Sequence, residues 1–246
     1  MSLMHCYSKE NQILNALDKA EFSQLSPHLK LVKMSHAEVL FDVNEKLHFV
    51  YFPTTTATVF LLCCLKDGSS TEVAMIGNEG VLGIEALTGD HEARMRAIVS
   101  EEGYAYRISI KALQNVLARN GGRRAGTLNK LLLRYMQMLM IQMSQMAACN
   151  RRHALENQLC SWLLSYFDRN VSASLSLTHE SIAYILGVRR ESVSIIAKKL
   201  QKEGMIDCWR GHLELKDRDK LENNACECYR VSKRESIRWK IYSKAA

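Results

Sequence analysis

The chain has 246 residues, with 33 Lys and Arg against 26 Asp and Glu and a formal net charge of +7. Hydrophobic residues make up 47% and charged residues 24%, the balance of one or two folded domains with real cores rather than of a disordered chain. The opening MSLMHCYSKENQ is polar, and no apolar run approaches the ~18 residues of a membrane span, so a cytoplasmic chain with no membrane partner is expected.

Residues 9–25 carry Ile13, Leu14, Leu17, Ala20 and Phe22 at helical spacing, and Pro27 ends the pattern; one amphipathic helix is expected. From Leu29 to Ile110 the period shortens. LKLVKM, EVLF, HFVYF, ATVFLLCCL, STEVAMI, RAIVS and YAYRISI are β-branched or aromatic runs of strand length. Turn residues separate them, as in Lys66-Asp67-Gly68-Ser69 and Gly77-Asn78-Glu79-Gly80. Many short strands with frequent turns predict an antiparallel roll, the kind of scaffold that encloses a small ligand. GNEGVLGI, Gly77 to Ile84, matches neither common phosphate-loop pattern, and turn-making glycines explain it equally well. Arg94 and Arg96 beside it are candidates for holding a phosphate, against the plainer reading of solvated arginines.

From Thr127 to His153 an unbroken helix is expected. Leu128, Leu132, Tyr135, Leu139, Gln142, Met146 and Cys149 form one seam; Leu133, Met136, Met140, Met143 and Ala147 form a second. Two apolar seams are more than one domain face can cover. One is therefore expected to pack on the roll, and the first is assigned to the same helix of a second subunit, making a homodimer. LENQLCSWLLSYFD, residues 155–168, is a further helix. The organisation expected is a roll with its N-terminal helix over 1–126, a dimerisation helix over 127–154, and a C-terminal domain with its tail over 155–246.

LTHESIAYILGVRRESVSIIAKKLQKEG, Leu177 to Gly204, contains two helical patterns joined at Gly187. Thr178 caps the first. In the second, Val193, Ile196, Ala197 and Leu200 make the inner stripe, and Arg190, Glu191, Ser194 and Lys198 face out. An ordinary helical hairpin with a solvated face has the same stripe. Two features favour a helix-turn-helix: a short hairpin follows, Cys208-Trp209-Arg210-Gly211-His212 then Leu213-Glu214-Leu215, and Thr178–Ala246 holds 15 Lys and Arg against 10 Asp and Glu. The eight cysteines show no zinc or disulfide spacing: Cys63 and Cys64 are adjacent, Cys226 and Cys228 have one residue between them, and the rest are scattered. Free thiols in a reducing compartment, with no metal site and no cofactor, are the expectation.

These residues resemble the Crp/Fnr superfamily of bacterial transcription factors along nearly the whole chain. The resemblance rests on the glycine-turned roll, the long helix, and above all ILGVRRESVSIIAKKLQKEGMI with its RG hairpin; the LKDRDKLENNACECYRV ending is similar to that of one branch. It implies an α+β architecture: an N-terminal antiparallel β-roll of cyclic-nucleotide-binding type, a long dimerisation helix and a C-terminal winged helix-turn-helix. It also implies double-stranded promoter DNA as partner, a homodimer, a small-molecule effector of unknown identity, and room for contact with RNA polymerase. The DNA-binding residues it points to are Thr178, Arg189, Arg190, Glu191, Ser194, Lys198, Lys199 and Arg210. Arg190 and Glu191 match the family's base-reading pair. Two positions depart: Ile195 stands where the family has a further Arg, and Arg189 where it has a small hydroxyl cap. The implied effector pocket is Gly83, Ile84, Glu85, Arg94 and Arg96. There Ile84 follows Gly83 where a Glu accepts ribose hydroxyls in cyclic-nucleotide binders, and Ala97 follows Arg96 where a hydroxyl holds phosphate. Cys6 alone near the N-terminus does not supply an iron–sulfur cluster. None of His28, His36, His48 and His91 is singled out as a haem ligand.

The leading expectation is a sequence-specific DNA-binding transcriptional regulator controlled through its roll. The alternative is a nucleotide-like binding module whose C-terminal domain meets protein rather than DNA. An enzyme is not expected, because no nucleophile elbow, metal cluster or spaced carboxylate pair is legible in the roll.

Overall fold

A computed structural model describes residues 10–54, 57–89, 91–119, 126–170, 172, 174–209 and 211–245. Two short helices open the described chain, α1 (Gln12–Asn15) and α2 (Lys19–Leu25), where a single helix was expected. The break has a local cause. Asp18 takes extended backbone angles, and its carboxylate accepts the Glu21 amide at 2.7 Å, so it starts a new helix instead of continuing the old one.

Seven strands follow where the short apolar runs lie: β1 (Lys30–Met34), β2 (Val39–Phe41), β3 (Phe49–Pro53), β4 (Thr58–Cys64), β5 (Ser70–Ile76), β6 (Arg96–Glu101) and β7 (Gly103–Ser109). They make two antiparallel sheets, ordered β1-β7-β3 and β2-β6-β4-β5. Alternate residues such as Val50, Phe52, Val59, Leu61, Val99 and Ala105 are buried, which gives the roll its core. Helix α3 (Ile110–Arg119) closes this part. The long helix α4 (Thr127–Arg152) follows, then α5 (Leu155–Phe167), β8 (Ser174–Leu175), α6 (His179–Leu186), α7 (Arg190–Lys202), β9 (Ile206–Trp209), β10 (His212–Leu215), α8 (Arg218–Asn224) and α9 (Glu227–Ala245).

Contacts divide the chain into two units, one of residues up to 61, 75–140 and 235–246, the other of 62–74 and 141–234. In the first, Glu21 caps α4 by accepting the Thr127 and Leu128 amides at 2.6 and 2.8 Å, a carboxylate at the positive end of the helix. Asn11, fully buried, donates to the Pro53 and Gly80 carbonyls and so ties the N-terminal segment to the strand turns. Tyr135 fills the space over Gly80: a Cβ there would lie 2.3 Å from the phenol oxygen, so only glycine fits. Trp239 of α9 is buried beside Tyr135, ring centroids 6.0 Å apart. The tail thus packs on α4 through this pair.

The assignment of the α4 seams is corrected by this packing. Leu128, Leu132 and Tyr135, expected at the subunit contact, are 1–2% exposed within the single chain. A side chain already covered by its own chain has no area left for a partner. Leu139, Gln142 and Met146 of the same seam are half-buried. Leu133 and Met140 of the other seam are 53% and 64% exposed.

In the second unit, the turn end of the β4–β5 hairpin packs with the C-terminal elements. Glu72 of β5 is buried there and its Oε2 accepts the Trp162 indole N–H of α5 at 2.9 Å. Its Oε1 is buried without a hydrogen-bond partner among the described residues. Burial is the main influence on this carboxyl and pushes it up to about 7, against the Trp162 hydrogen bond and the Arg169 charge.

Candidate nucleic-acid interface

Helices α6 and α7 pack on each other through Ile182, Ala183, Ile185, Val193, Ala197 and Leu200, all buried. Thr178 caps α6, its hydroxyl accepting the Ser181 amide at 3.1 Å. Gly187 ends α6 at φ +66°, a left-handed conformation that lets the Val188 amide return to the Ala183 carbonyl at 2.9 Å. Arg189 then precedes α7 in extended conformation without a side-chain cap. The turn therefore works through the glycine, and Arg189 is left exposed.

The wing is a two-residue hairpin between β9 and β10, and β8 pairs with β10 on its other side. Trp209 and His212 stack across the hairpin end with centroids 6.0 Å apart, and His212 Nδ1 lies 3.2 Å from the Ser176 hydroxyl. Arg210, expected in the wing, lies outside the described residues.

On α7, Arg190, Glu191, Ile195, Lys198 and Lys202 are exposed. Ser194 is half-buried, its hydroxyl 3.1 Å from His179 Nδ1. Burial, followed by the charges of Arg190 and Lys198, depresses the His179 pKa, so two cations about two turns apart on the same helix both act on one histidine. His179 had no signal of its own in the sequence. Ile195 is 69% exposed, more than any other large apolar side chain among the described residues. It stands midway along a face otherwise made of charge.

Lys199 parts company with that face. It lies about 140° around the helix from Ser194 and meets both Glu156 oxygens of α5 at 2.8 and 2.7 Å. Its ammonium joins α7 to α5 and is raised in pKa by that hydrogen bond, so Lys199, expected at DNA, is engaged within the chain while still half exposed.

The expected effector residues are in less open positions. Gly83 opens a short 3₁₀ turn, Ile84–Thr88, with Ile84 buried. The Glu85 carboxyl is pushed up by burial. Arg94 is exposed beside Glu92 at 3.7 Å. Arg96 forks onto Asp42, Nε to Oδ1 at 2.8 Å and Nη2 to Oδ2 at 2.6 Å, and this hydrogen bond holds the Asp42 carboxyl below the usual carboxylate range. An arginine closed on a carboxylate has spent the fork that a phosphate would need.

The cysteines among the described residues are free thiols, and three of them are gathered in space. Cys149 and His153 come together with Cys226 and Cys228, which lie 77 and 79 residues after Cys149, with all four ligand atoms within 4.8 Å of one another. The one-residue spacing of the last two was visible in the sequence; the third thiol and the histidine depend on how α4 and α9 pack.

Residues 157–223 match the family model of the Crp-like helix-turn-helix domain. No curated protein shows significant sequence similarity to the chain. Among solved structures, the chain is similar to FixK2 from Bradyrhizobium japonicum at 17% identity and a TM-score of 0.67, covering 80% of this chain and 98% of that one. It is similar to a putative regulator of the crp/fnr family from Eubacterium rectale at 15% identity and 0.67, covering 86% and 96%. The c-di-GMP responsive global regulator CLP of Xanthomonas campestris matches at 13% and 0.63, covering 81% and 99%. At such identities these likenesses speak for the fold. The chain therefore carries a Crp-like helix-turn-helix domain at 157–223, and along most of its length it has the fold of solved Crp/Fnr-family regulators.

Proposed function

We propose that the protein acts as a homodimer on a two-fold promoter site, with Arg190 and Glu191 reading base edges and Arg189, Lys198 and Thr178 meeting the backbone. The single observation that carries this reading is the outer face of α7, where Arg190 and Lys198 stand exposed around Ile195. Arg190 can fork onto guanine O6 and N7, Glu191 can accept from a cytosine amino group, and Ile195 offers an apolar surface to a thymine methyl. Lys198, further along the helix, is suited to phosphate and adds affinity without sequence information.

The seam of exposed Leu133 and Met140 with half-buried Met136 and Met143 supports dimerisation through α4, since its alternation of three and four residues is that of paired helices. A two-fold protein matches a two-fold operator, with half-sites one or more helical turns apart. The roll is the candidate receiver of a signal by a route other than ordinary cyclic AMP contacts, because Arg96 carries Asp42 and position 84 is a buried isoleucine. RNA polymerase is the protein partner this reading calls for.

The test is a pair of measurements on one variant. Leu133→Lys with Met140→Lys should give monomers in sedimentation and lose binding to a palindromic duplex while keeping the circular dichroism of the wild type. A double variant that remains dimeric with full DNA affinity would remove α4 as the subunit contact.

A further inference from the structure

We propose that Cys149, His153, Cys226 and Cys228 form a closed binding site for a soft divalent metal ion, zinc above all. The donor set is three thiols and one imidazole. Cys149 Sγ lies 3.4 Å from Cys226 Sγ, and Cys228 Sγ lies 3.5 Å from His153 Nδ1. For zinc–sulfur bonds of about 2.3 Å and zinc–nitrogen bonds of about 2.0 Å, a tetrahedron has edges of about 3.8 Å between sulfurs and about 3.5 Å between sulfur and nitrogen. The four atoms are thus gathered to nearly the spacing that one tetrahedral ion requires.

The surroundings fit a metal better than they fit a chance pocket of thiols. His153 turns Nδ1 to the sulfurs while its Nε2 lies 3.2 Å from a Glu227 carboxylate oxygen, the carboxylate–histidine arrangement that orients metal-bound imidazoles. The Gln145 amide donates to Cys228 Sγ at 3.1 Å, and the Ser161 hydroxyl lies 3.1 Å from Cys226 Sγ. Both are suited to stabilising sulfur that carries negative charge. All three cysteines are buried, so an ion held there has its four positions filled by protein and none open to substrate. Three sulfurs and one nitrogen in tetrahedral array select zinc over magnesium or calcium.

The position explains what such an ion does. Cys149 and His153 are one helical turn apart at the end of α4, and Cys226 and Cys228 sit at the start of α9. Ser161, which also accepts the Cys226 amide at 3.2 Å, belongs to α5. The ion joins these three helices into the frame that carries α6 and α7. Binding deprotonates three thiols, sends three protons to solvent and leaves a complex of net charge −1, so occupancy falls as pH is lowered.

The experiment uses the full chain, purified under reductant without chelator. Elemental analysis should find one zinc per chain. After chelation, added Co²⁺ should give the thiolate-to-cobalt charge-transfer bands and the strong visible bands of a tetrahedral ion. Cys228→Ser should lose the zinc, and Cys63→Ser with Cys64→Ser should keep it. Glu227→Gln, outside the donor set and exposed, should fold normally and bind zinc about tenfold more weakly or less. Three results would each overturn the proposal: a reduced chain that takes up neither zinc nor cobalt, cobalt bound with the weak bands of six-coordination, or metal that leaves with Cys63 and Cys64 instead. A Cys149–Cys226 disulfide with no metal taken up after reduction would make the cluster a redox pair and overturn it equally.

Discussion

Two arginines divide the molecule. Arg96 on the roll is half-buried and forked onto Asp42; Arg190 on α7 is exposed and has no ion-pair partner among the described residues. Both were candidates for an anionic partner, since each sits near glycines and other polar residues. The first has been supplied with its anion by the protein itself. The second has been left for something outside the chain. The same contrast recurs between Lys199, held by Glu156, and Lys198, one residue earlier and exposed. A charged side chain makes a binding site only when folding leaves its hydrogen-bonding capacity unspent.

The largest expected effect tests a group turned wholly inward. Glu72 is buried and its folded pKa of about 7 lies above the ordinary 4.5, so the folded state holds this proton more tightly than the unfolded chain does. Its stabilising contribution is complete below pH 4.5 and is lost as pH rises toward 7, a difference of about 3 kcal/mol at 1.36 kcal/mol per pH unit. Urea unfolding of Glu72→Gln should show no such slope, and at pH 8 the variant should be more stable than the wild type, with its Oε1 still available to the Trp162 indole. A wild type equally stable at pH 5 and pH 8 would mean that the carboxyl ionises at little penalty.

Next comes Arg190, the group turned outward. Arg190→Ala should cost ~1–3 kcal/mol of binding to the specific duplex and leave scrambled duplex nearly unaffected. Equal weakening on both duplexes would make it a phosphate contact and shift base reading to Arg189, Ser194 or DNA shape.

A smaller effect separates the two neighbouring lysines. Lys198→Ala should flatten the salt dependence of DNA binding by about one unit, on specific and scrambled duplexes alike. Lys199→Ala should leave that slope unchanged and act on stability through Glu156, whose carboxyl the lysine holds below the usual range. Identical salt slopes for the two variants would erase the distinction drawn between them. The smallest expected effect is none. Cyclic AMP titrated into the chain should give no submicromolar binding in calorimetry, because a ribose hydroxyl left unpaired costs ~1–3 kcal/mol before any loss at the phosphate. Tight binding would require Arg96 to leave Asp42.

The elements were legible where the pattern is local. The strand runs appear as β1 to β7, the stripe Val193, Ala197 and Leu200 faces inward, and Gly187 turns the chain between the two helices. The family resemblance located the helix-turn-helix from one unbroken run, Ile185 to Ile206, which lies inside the matched domain. What stayed hidden depends on which residue lies opposite. Two seams on α4 are equivalent in sequence until Gly80 and Trp239 are known to receive Tyr135. The spacing of eight cysteines looks like scatter until α4 and α9 bring three of them to His153.

By itself, the sequence determined the period of most segments, the turn at Gly187 and the charge of the C-terminal quarter, because backbone conformation and capping act over a few residues. Tertiary structure alone decided which side chains remain available. Asp42 and Arg96, Glu156 and Lys199, and Cys149 and Cys226 are 54, 43 and 77 residues apart. Over such separations, pairing is set by how whole helices and sheets bury their apolar faces, and no local pattern records it.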